Sequence, residues 1–446
     1  MSPTFRSLSV RNYRLYASGA VVSNVGTWMQ RVAQDWLVLQ LTHNNGTALG
    51  ITTGLQFLPI LFLSPYAGVI ADRFPKRRLL QVTQLMLAIP ALVLGVLAVT
   101  GVAQSWQVYV LAFVFGIGSA FDAPARQSFV SEIVGPDDLT NAVGLNSASF
   151  NLARMVGPAL AGLLIAALGS GVPATGAVIL VNAVSYGAVI FSLQRMRERE
   201  LHPAKRAERG KGMIRDGVRY TMARPDLMLI LTIVFFAGTF GLNFQLTSAL
   251  MATQVFHKGA GEYGILGTTL AIGSLSGALL AARRGRIRHR LVILAALTFG
   301  VAEIVAGLMP SYLAFAVWTP VIGIASLTMI TSANASFQMS VAPMMRGRVM
   351  ALYMMVFMGG TPIGSPIVGW VGETFGARWT LIGGGAATIA GTVLAVVIFG
   401  YVKGLVGPRH QQVRESAAEP ATESAREPAT ESARESSWAG AVNSGS

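Results

Sequence analysis

The chain has 446 residues, 52% hydrophobic and 12% charged, with a net charge of +14 and no cysteine. A soluble globular domain carries about 25% charged residues, so this composition excludes an ordinary water-soluble protein, and the absence of cysteine excludes disulfides and thiolate metal sites. The positive charge is not that of a nucleic-acid-binding face, because the basic residues sit in short stretches between long apolar runs.

A membrane-crossing helix needs about 20 mostly apolar residues. Such runs occupy roughly 16–40, 49–71, 79–100, 107–131, 141–168, 174–194, 227–251, 262–282, 291–309, 312–337, 348–372 and 379–402. The first is too long and too polar for a signal-peptide core and has no cleavage site after it. Turn-forming stretches such as Thr42–Thr47 and Gly169–Pro173 separate the runs. The expectation is an all-α membrane protein with twelve transmembrane helices. Its 49 glycines suit close helix packing in lipid.

On the first helix, Asn24, Thr27, Arg31 and Asp35 recur at spacings of 3 and 4 and share one face. Trp28 lies beside them. A charge inside the bilayer costs roughly 3 kcal/mol by insertion scales, so it faces a partner or a wet cavity. Asp35 is the leading protonation site, tuned by Arg31. The alternative is an Arg31–Asp35 ion pair at i,i+4 that only stabilises the helix.

Between the second and third helices lies a short basic turn, Gly68-Val69-Ile70-Ala71-Asp72-Arg73-Phe74-Pro75-Lys76-Arg77-Arg78. Clustered Lys and Arg of this kind stay cytoplasmic. Helix 4 carries Asp122 and Arg126 with Pro124 between them, a spacing that suits a structural pair. Helix 5 carries Ser147, Asn151, Arg154 and Pro158 on one side, and Gly157 and Gly162 supply a small-residue face beside the proline kink.

The segment Gln194–Asp226 divides the chain into two sets of six. Within it Arg195–Lys211 reads as a solvated linker, and Gly212–Met222 as an interfacial amphipathic helix. Helix 7 offers Phe236, Phe240 and Phe244 with polar Asn243 and Gln245. Helix 10 offers Thr331 and Asn334, and helix 11 offers Met354, Met355 and Met358. Aromatics and flexible methionines suit bulky amphiphiles, although plain helix packing uses the same residues. Glu303, toward the outer end of helix 9, reads as a snorkelling acid. After Gly404 the octapeptide EPATESAR occurs twice in Pro-, Ser- and Glu-rich sequence, the composition of a disordered tail.

Two patterns organise these pieces. Of the 34 Lys and Arg, 29 lie in or at the border of the loops on the side of the N-terminus. Two, Lys258 and Arg378, lie on the other side, and three fall inside helices. Both termini are therefore expected in the cytoplasm. In addition, Leu145, Gly157, Gly162 and Gly169 recur 207 positions later as Leu352, Gly364, Gly369 and Gly376. The halves read as parallel six-helix repeats. This gives an N-terminal stretch 1–15, bundles at 16–194 and 227–402, a linker at 195–226 and a tail at 403–446.

The turn's Gly-x-x-x-Asp-Arg pattern with following basic residues resembles the signature loop of the major facilitator superfamily. Ala153–Gly162 resembles the helix-5 signature of that superfamily's exporters, with alanine replacing two glycines. The resemblance spans nearly all of residues 1–404. Arg11-Asn12-Tyr13-Arg14-Leu15, Gly26-Thr27-Trp28-Met29-Gln30 and Pro124-Ala125-Arg126-Gln127 are similar to the branch of enterobactin exporters and macrolide-efflux proteins. It implies the major facilitator fold: two pseudo-symmetric six-helix bundles with helices 1, 4 and 5 bordering a central cavity. It also implies a conformational latch of Gly68, Asp72, Arg73, Arg77 and Glu132. Asp72 would face the start of helix 11 near Val349, and Arg73 would pair with Glu132. Pro75 departs from the motif's second glycine. Ala112 stands where many proton-coupled members have an arginine, so that arginine's role is not carried over.

The resemblance implies export of a small amphiphilic molecule (siderophore, antibiotic or drug) by proton antiport in the cell membrane, with monomer as the default. The cavity charges would be Asp35, Arg31, Asp122, Arg126 and Arg154. Substrate contacts would come from Asn24, Trp28, Asn151, Phe240, Asn243, Asn334 and Met358. No phosphate-binding loop or metal-ligand cluster is visible, so no cofactor, ATP or metal is expected. The rival within transport is a proton-coupled uptake symporter for a polar metabolite. A membrane-embedded enzyme lacks a nucleophile–base pair, and a non-transporting sensor lacks an added soluble domain.

Overall fold

The computed structural model describes residues 3–202, 213–282, 289–342 and 345–400, and among these residues there is no strand. The first six long helices are α1 (Arg11–Leu41), α2 (Gly46–Arg73), α3 (Lys76–Val99), α4 (Ser105–Ile133), α5 (Pro136–Ala167) and α6 (Val172–Gln194). The second six are α7 (Pro225–Val255), α8 (Ala260–Ala282), α9 (His289–Gly307), α10 (Tyr312–Met339), α11 (Arg346–Phe375) and α12 (Ala377–Ala395), the last prolonged by a π turn at Val396–Gly400. Eleven are long and apolar enough to cross a membrane. The exception is α1, whose 31 residues suffice in length but carry the polar stripe.

Every expected run but the seventh is a continuous helix among the described residues, most of them longer than the apolar stretch. Asn45 caps α2 by accepting from the Ala48 amide at 2.8 Å. Prolines near the starts of α5, α6 and α7 supply the fixed φ of a first turn. Two elements differ from the sequence expectation. The basic turn is mostly helix: Gly68–Arg73 completes α2, and only Phe74 and Pro75 precede α3. Helix 7 is broken: a π turn at Ala237–Gly241 and two non-helical residues, Leu242 and Asn243, interrupt it before a second π turn at Met251–Val255.

The linker helix, Met213–Met222, is present and packs on α11 and on the start of α7. Asp216 pairs with Arg348 at 3.2 Å, and Gly217 lies against the same arginine. Arg224 then forks onto Asp226 at 2.8 and 2.5 Å, and hydrogen bonding to that carboxylate holds its guanidinium above the ordinary value. The linker stretch 203–212, the arginines of 283–288, the tail 403–446 and the side chain of Asp72 lie outside the described residues.

The repeat in the sequence is also a repeat in space. Helix α2 packs on α4 as α8 packs on α10, and α3 on α6 as α9 on α12. The halves meet along α2/α11 and α5/α8, two pairs that a pseudo-twofold exchanges. Gly116 of α4 lies against the Gln56 carbonyl of α2, and Gly323, 207 positions on, lies against the Leu270 carbonyl of α8. Of the recurring glycines, Gly157/Gly364 and Gly162/Gly369 are contact points where a side chain would push two helices apart, whereas Gly169 and Gly376 are turn positions, each with φ +98° and open space around it.

Candidate functional site

The interface between the halves is closed at one end only. Far from the basic loops, α2 and α11 touch backbone to backbone: a Cβ added at Gly46 would stand 2.8 Å from the Gly369 carbonyl oxygen. At the same end α5 and α8 meet, with Gly162 against Ala260 and Gly264 and Gly267 against Pro158. Five hydrogen bonds cross between the halves. Glu373 accepts from the Gly46 amide at 2.8 Å, and Gln254 donates to the Asn44 carbonyl at 2.8 Å. Tyr263 donates to Asp35 at 2.9 Å, Thr268 to the Met155 carbonyl at 2.7 Å, and Arg154 to Ser274 at 3.4 Å. Among the described residues, none lies on the basic side of Arg154 and Ser274. There the facing helices expose large apolar groups, among them Phe62 and Tyr66 of α2 at 65% and 67%. The molecule is open toward its basic end.

Behind the seal lies a cavity of about 260 Å³. Its first-half wall presents Trp28, Arg31, Phe57, Arg154 and Pro158, and its second-half wall presents the broken stretch Gly241–Gln245 with Tyr263 and Glu303. The break in α7 frees backbone groups at cavity depth, the place where irregular backbone is tolerated in a membrane. Asn243 repairs part of the loss by donating to the Thr239 carbonyl at 2.8 Å, and it accepts from Ser365 at 2.8 Å.

Arg31 and Asp35 do not form the i,i+4 ion pair that was one of the two sequence readings. Arg31 instead lies 4.8 Å from the Trp28 ring centre and 5.8 Å from that of Phe57, while Asp35 is bound by Tyr263 across the interface. Arg154 approaches the same Trp28 ring from α5 at 5.7 Å. Gly157 makes this possible, because it lets α5 close onto α1 directly behind Trp28.

Other expected cavity residues lie elsewhere. Asp122 and Arg126 form a buried pair at 3.1 Å, with Asp122 also accepting from Thr83 and Gln84 at 2.8 and 2.7 Å, and neither lines the cavity. Of the expected substrate contacts, Trp28 and Asn243 line it. Asn24 and Asn334 are half-buried outside it, and Asn151 donates to the Ser147 carbonyl at 2.8 Å. Phe240 packs on Phe236 with ring centres 6.2 Å apart, and Met358 is exposed on α11. Glu303 is no snorkelling acid: it is 1% exposed, lines the cavity wall, and its Oε2 has no hydrogen-bond partner beside Gly241. A single acid in an apolar helix carries no periodicity to show which way it faces. Tyr263 and Phe57 had no sequence signal either.

The signature corner also differs in its pairing. Glu132 is bound by Lys76, both groups being buried, whereas Arg73 is exposed and makes no ion pair among the described residues. Pro75 places Lys76 in the first turn of α3 and turns it toward α4. Arg77 donates to the Leu193 and Gln194 carbonyls at 2.6 and 3.1 Å, capping the end of α6, and pairs with Glu198. Gly68 sits in the last turns of α2. All of these contacts stay within the first half.

Twelve helices in two parallel repeats around a cavity sealed at one end define a major facilitator transporter, not an enzyme. The chain belongs to the transmembrane secretion effector family of that class, whose model matches residues 2–404. It is 25% identical over 384 residues to the staphyloferrin A transporter of Staphylococcus aureus, covering 85% of this chain and 94% of that protein. It is 28% identical over 380 residues to the multidrug efflux pump Tap of Mycolicibacterium fortuitum (81% and 90% covered), and 25% identical over 396 residues to macrolide efflux protein A of Streptococcus pyogenes (85% and 94%). Among solved structures, a bacterial homologue of the iron transporter ferroportin in its inward-facing state superposes with a TM-score of 0.67 at 16% identity, covering 88% of this chain and 98% of that one. An inward-facing bacterial homologue of the lysosomal transporter Spinster gives 0.64 at 17%, covering 87% and 96%. These two likenesses show the fold.

Proposed function

We propose that this protein exports a small amphiphilic organic molecule from the cytoplasm by proton antiport, with the cavity exposed alternately to the two sides. The observation that carries the reading is the Asp35–Tyr263 bond: a buried acid of the first half, one turn beyond Arg31 and not itself on the cavity wall, is held at the sealed end by Tyr263, which lines the cavity from the second half. The basic end is cytoplasmic by the asymmetry of Lys and Arg, so the open cavity faces the cytoplasm, where an exporter collects its cargo. Efflux pumps among the relatives support that direction.

Asp35 is the coupling residue on this reading. A carboxylate enclosed by the seal costs several kcal/mol unless it is compensated. Tyr263 of α8 and Arg31, one turn away on α1, compensate it in part. A proton taken from the outside removes the charge and favours sealing; its release to the cytoplasm restores the charge and favours opening outward with cargo. Glu303, without a partner on the opposite wall, is the second acid placed to carry a proton. The packing of Gly157, Pro158 and Gly162 supports a leak-proof outer seal. The basic corner, with Arg73 exposed and in no ion pair among the described residues, would close the cytoplasmic side in the other state.

Inside-out membrane vesicles test this directly. A labelled macrolide and a labelled siderophore are offered with an imposed pH gradient, acid inside. Accumulation that nigericin abolishes and Asp35→Asn removes is expected for at least one of them. Gradient-driven accumulation in right-side-out vesicles instead would support the uptake symporter and sink the export reading.

A further inference from the structure

Arg31 and Arg154 flank one indole, at 4.8 and 5.7 Å from the Trp28 ring centre, and both line the cavity. Neither forms a salt bridge among the described residues. Arg31 has no hydrogen bond there, and Arg154 has only the 3.4 Å contact to Ser274. The acids of the cavity are engaged or remote: Asp35 is bound by Tyr263, and Glu303 lies against the α7 break on the other wall.

Arginine does not give up its proton in proteins. Two guanidiniums on one wall of a membrane cavity are therefore a standing positive charge. The chain shows how it treats a buried arginine that serves structure: Arg126 is given Asp122, which is anchored in turn by Thr83 and Gln84. The Trp28 pair has no such anion. Its geometry is that of two forked donors over one flat apolar ring, a pattern complementary to a conjugated or aromatic body bearing carboxylates.

We infer that the cargo is an organic anion, bound by carboxylates on Arg31 and Arg154 with an apolar or aromatic part on Trp28 and Phe57. This rests on the reading of the cavity as the cargo site and narrows its substrate class. Arg31 shares only the charge of Asp35, one turn away and bound by Tyr263, and Arg154 has no acid in contact among the described residues, so that cargo would supply the remaining counter-charge on the first-half wall.

The test uses the purified full-length protein in nanodiscs and three molecules of one shape: benzene-1,3,5-tricarboxylate, its neutral triamide, and 1,3,5-tris(aminomethyl)benzene. Binding is read by tryptophan fluorescence and, independently, by thermal shift. The tricarboxylate is expected to quench saturably and to bind at least roughly tenfold more tightly than the other two, as charge-assisted bonds to two guanidiniums imply. Arg31→Gln and Arg154→Gln should each weaken it by a similar factor. Arg31→Lys and Arg154→Lys, which keep the charge, should retain most of the binding if the glutamine variants fold poorly. Trp28→Phe should lose the quench and weaken the thermal shift less than either glutamine variant does. Equal binding of the triamide or the triamine, or unaltered tricarboxylate affinity in both glutamine variants, would overturn the inference. Vesicle transport is scored separately: tricarboxylate binding without export would count against the exporter reading and for the anion site.

Discussion

The two ends of this molecule are built from different chemistry. At the sealed end, glycines let α2 meet α11 and α5 meet α8 at backbone distance, and one buried acid spans the seam. At the basic end, buried and capping ion pairs tie α3 to α4 and α6 within the first half, and among the described residues nothing polar crosses to the second. Close backbone packing depends on shape and is lost as a unit. Ion pairs at a water-filled mouth can be exchanged one at a time. On the proposed orientation, the contrast suits an outer seal made by packing and an inner side that opens and closes on charge.

The contrast breaks most severely at Gly369. A side chain there would meet the Gly46 carbonyl and stand 3.1 Å from Gly50 Cα, so Gly369→Leu should reduce transport to background while protein still reaches the membrane. Gly347, in the first turn of the same helix at the basic end, has open space around a built Cβ. Gly347→Ala should leave transport unchanged and stability within about 1 kcal/mol. Equal damage from both would erase the distinction between the ends.

Asp35→Asn comes next, with an expected loss of at least roughly a hundredfold in proton-driven flux, on the scale of a required charge, and unchanged expression. Lys76→Met should follow. It removes the Lys76 half of a buried ion pair and is expected to lower the melting temperature, by up to about 3 kcal/mol of stability, an effect that Arg73→Gln does not reproduce. Smallest is Arg77→Ala, which removes the cap on α6 and should cost about 1 kcal/mol in the same melt.

Much of this architecture was legible in the residues. Apolar runs long enough to span a bilayer leave the chain few alternatives, and two of the recurring glycine pairs 207 positions apart marked helix contacts that the fold makes. The site was legible only in part. Arg31, Asp35 and Arg154 stood out because charges in apolar helices need a reason, but spacing could not say that Arg31 would face Trp28 in preference to Asp35. Glu303 was misplaced, and Arg73 was expected where Lys76 pairs with Glu132, because side-chain direction depends on how a helix is rotated against its neighbours, which no local pattern encodes. The break in α7 was hidden because Gly238, Gly241 and Asn243 sit inside an otherwise continuous apolar run. Tyr263 matters only through a residue 228 positions away in the other half.

The central claim is that protonation of Asp35 decides which end is closed. The native chain has no cysteine, so introduced thiols are the only sites for spin labels. One pair, Thr42 and Lys258, reports on the sealed end; another, Arg78 and Arg346, reports on the basic end. In nanodiscs, moving from alkaline to acidic buffer should shorten the first distance and lengthen the second, and Asp35→Asn should hold both at their acidic values in either buffer. A pH response that persists undiminished in Asp35→Asn, or two distances that do not move reciprocally, would contradict the account.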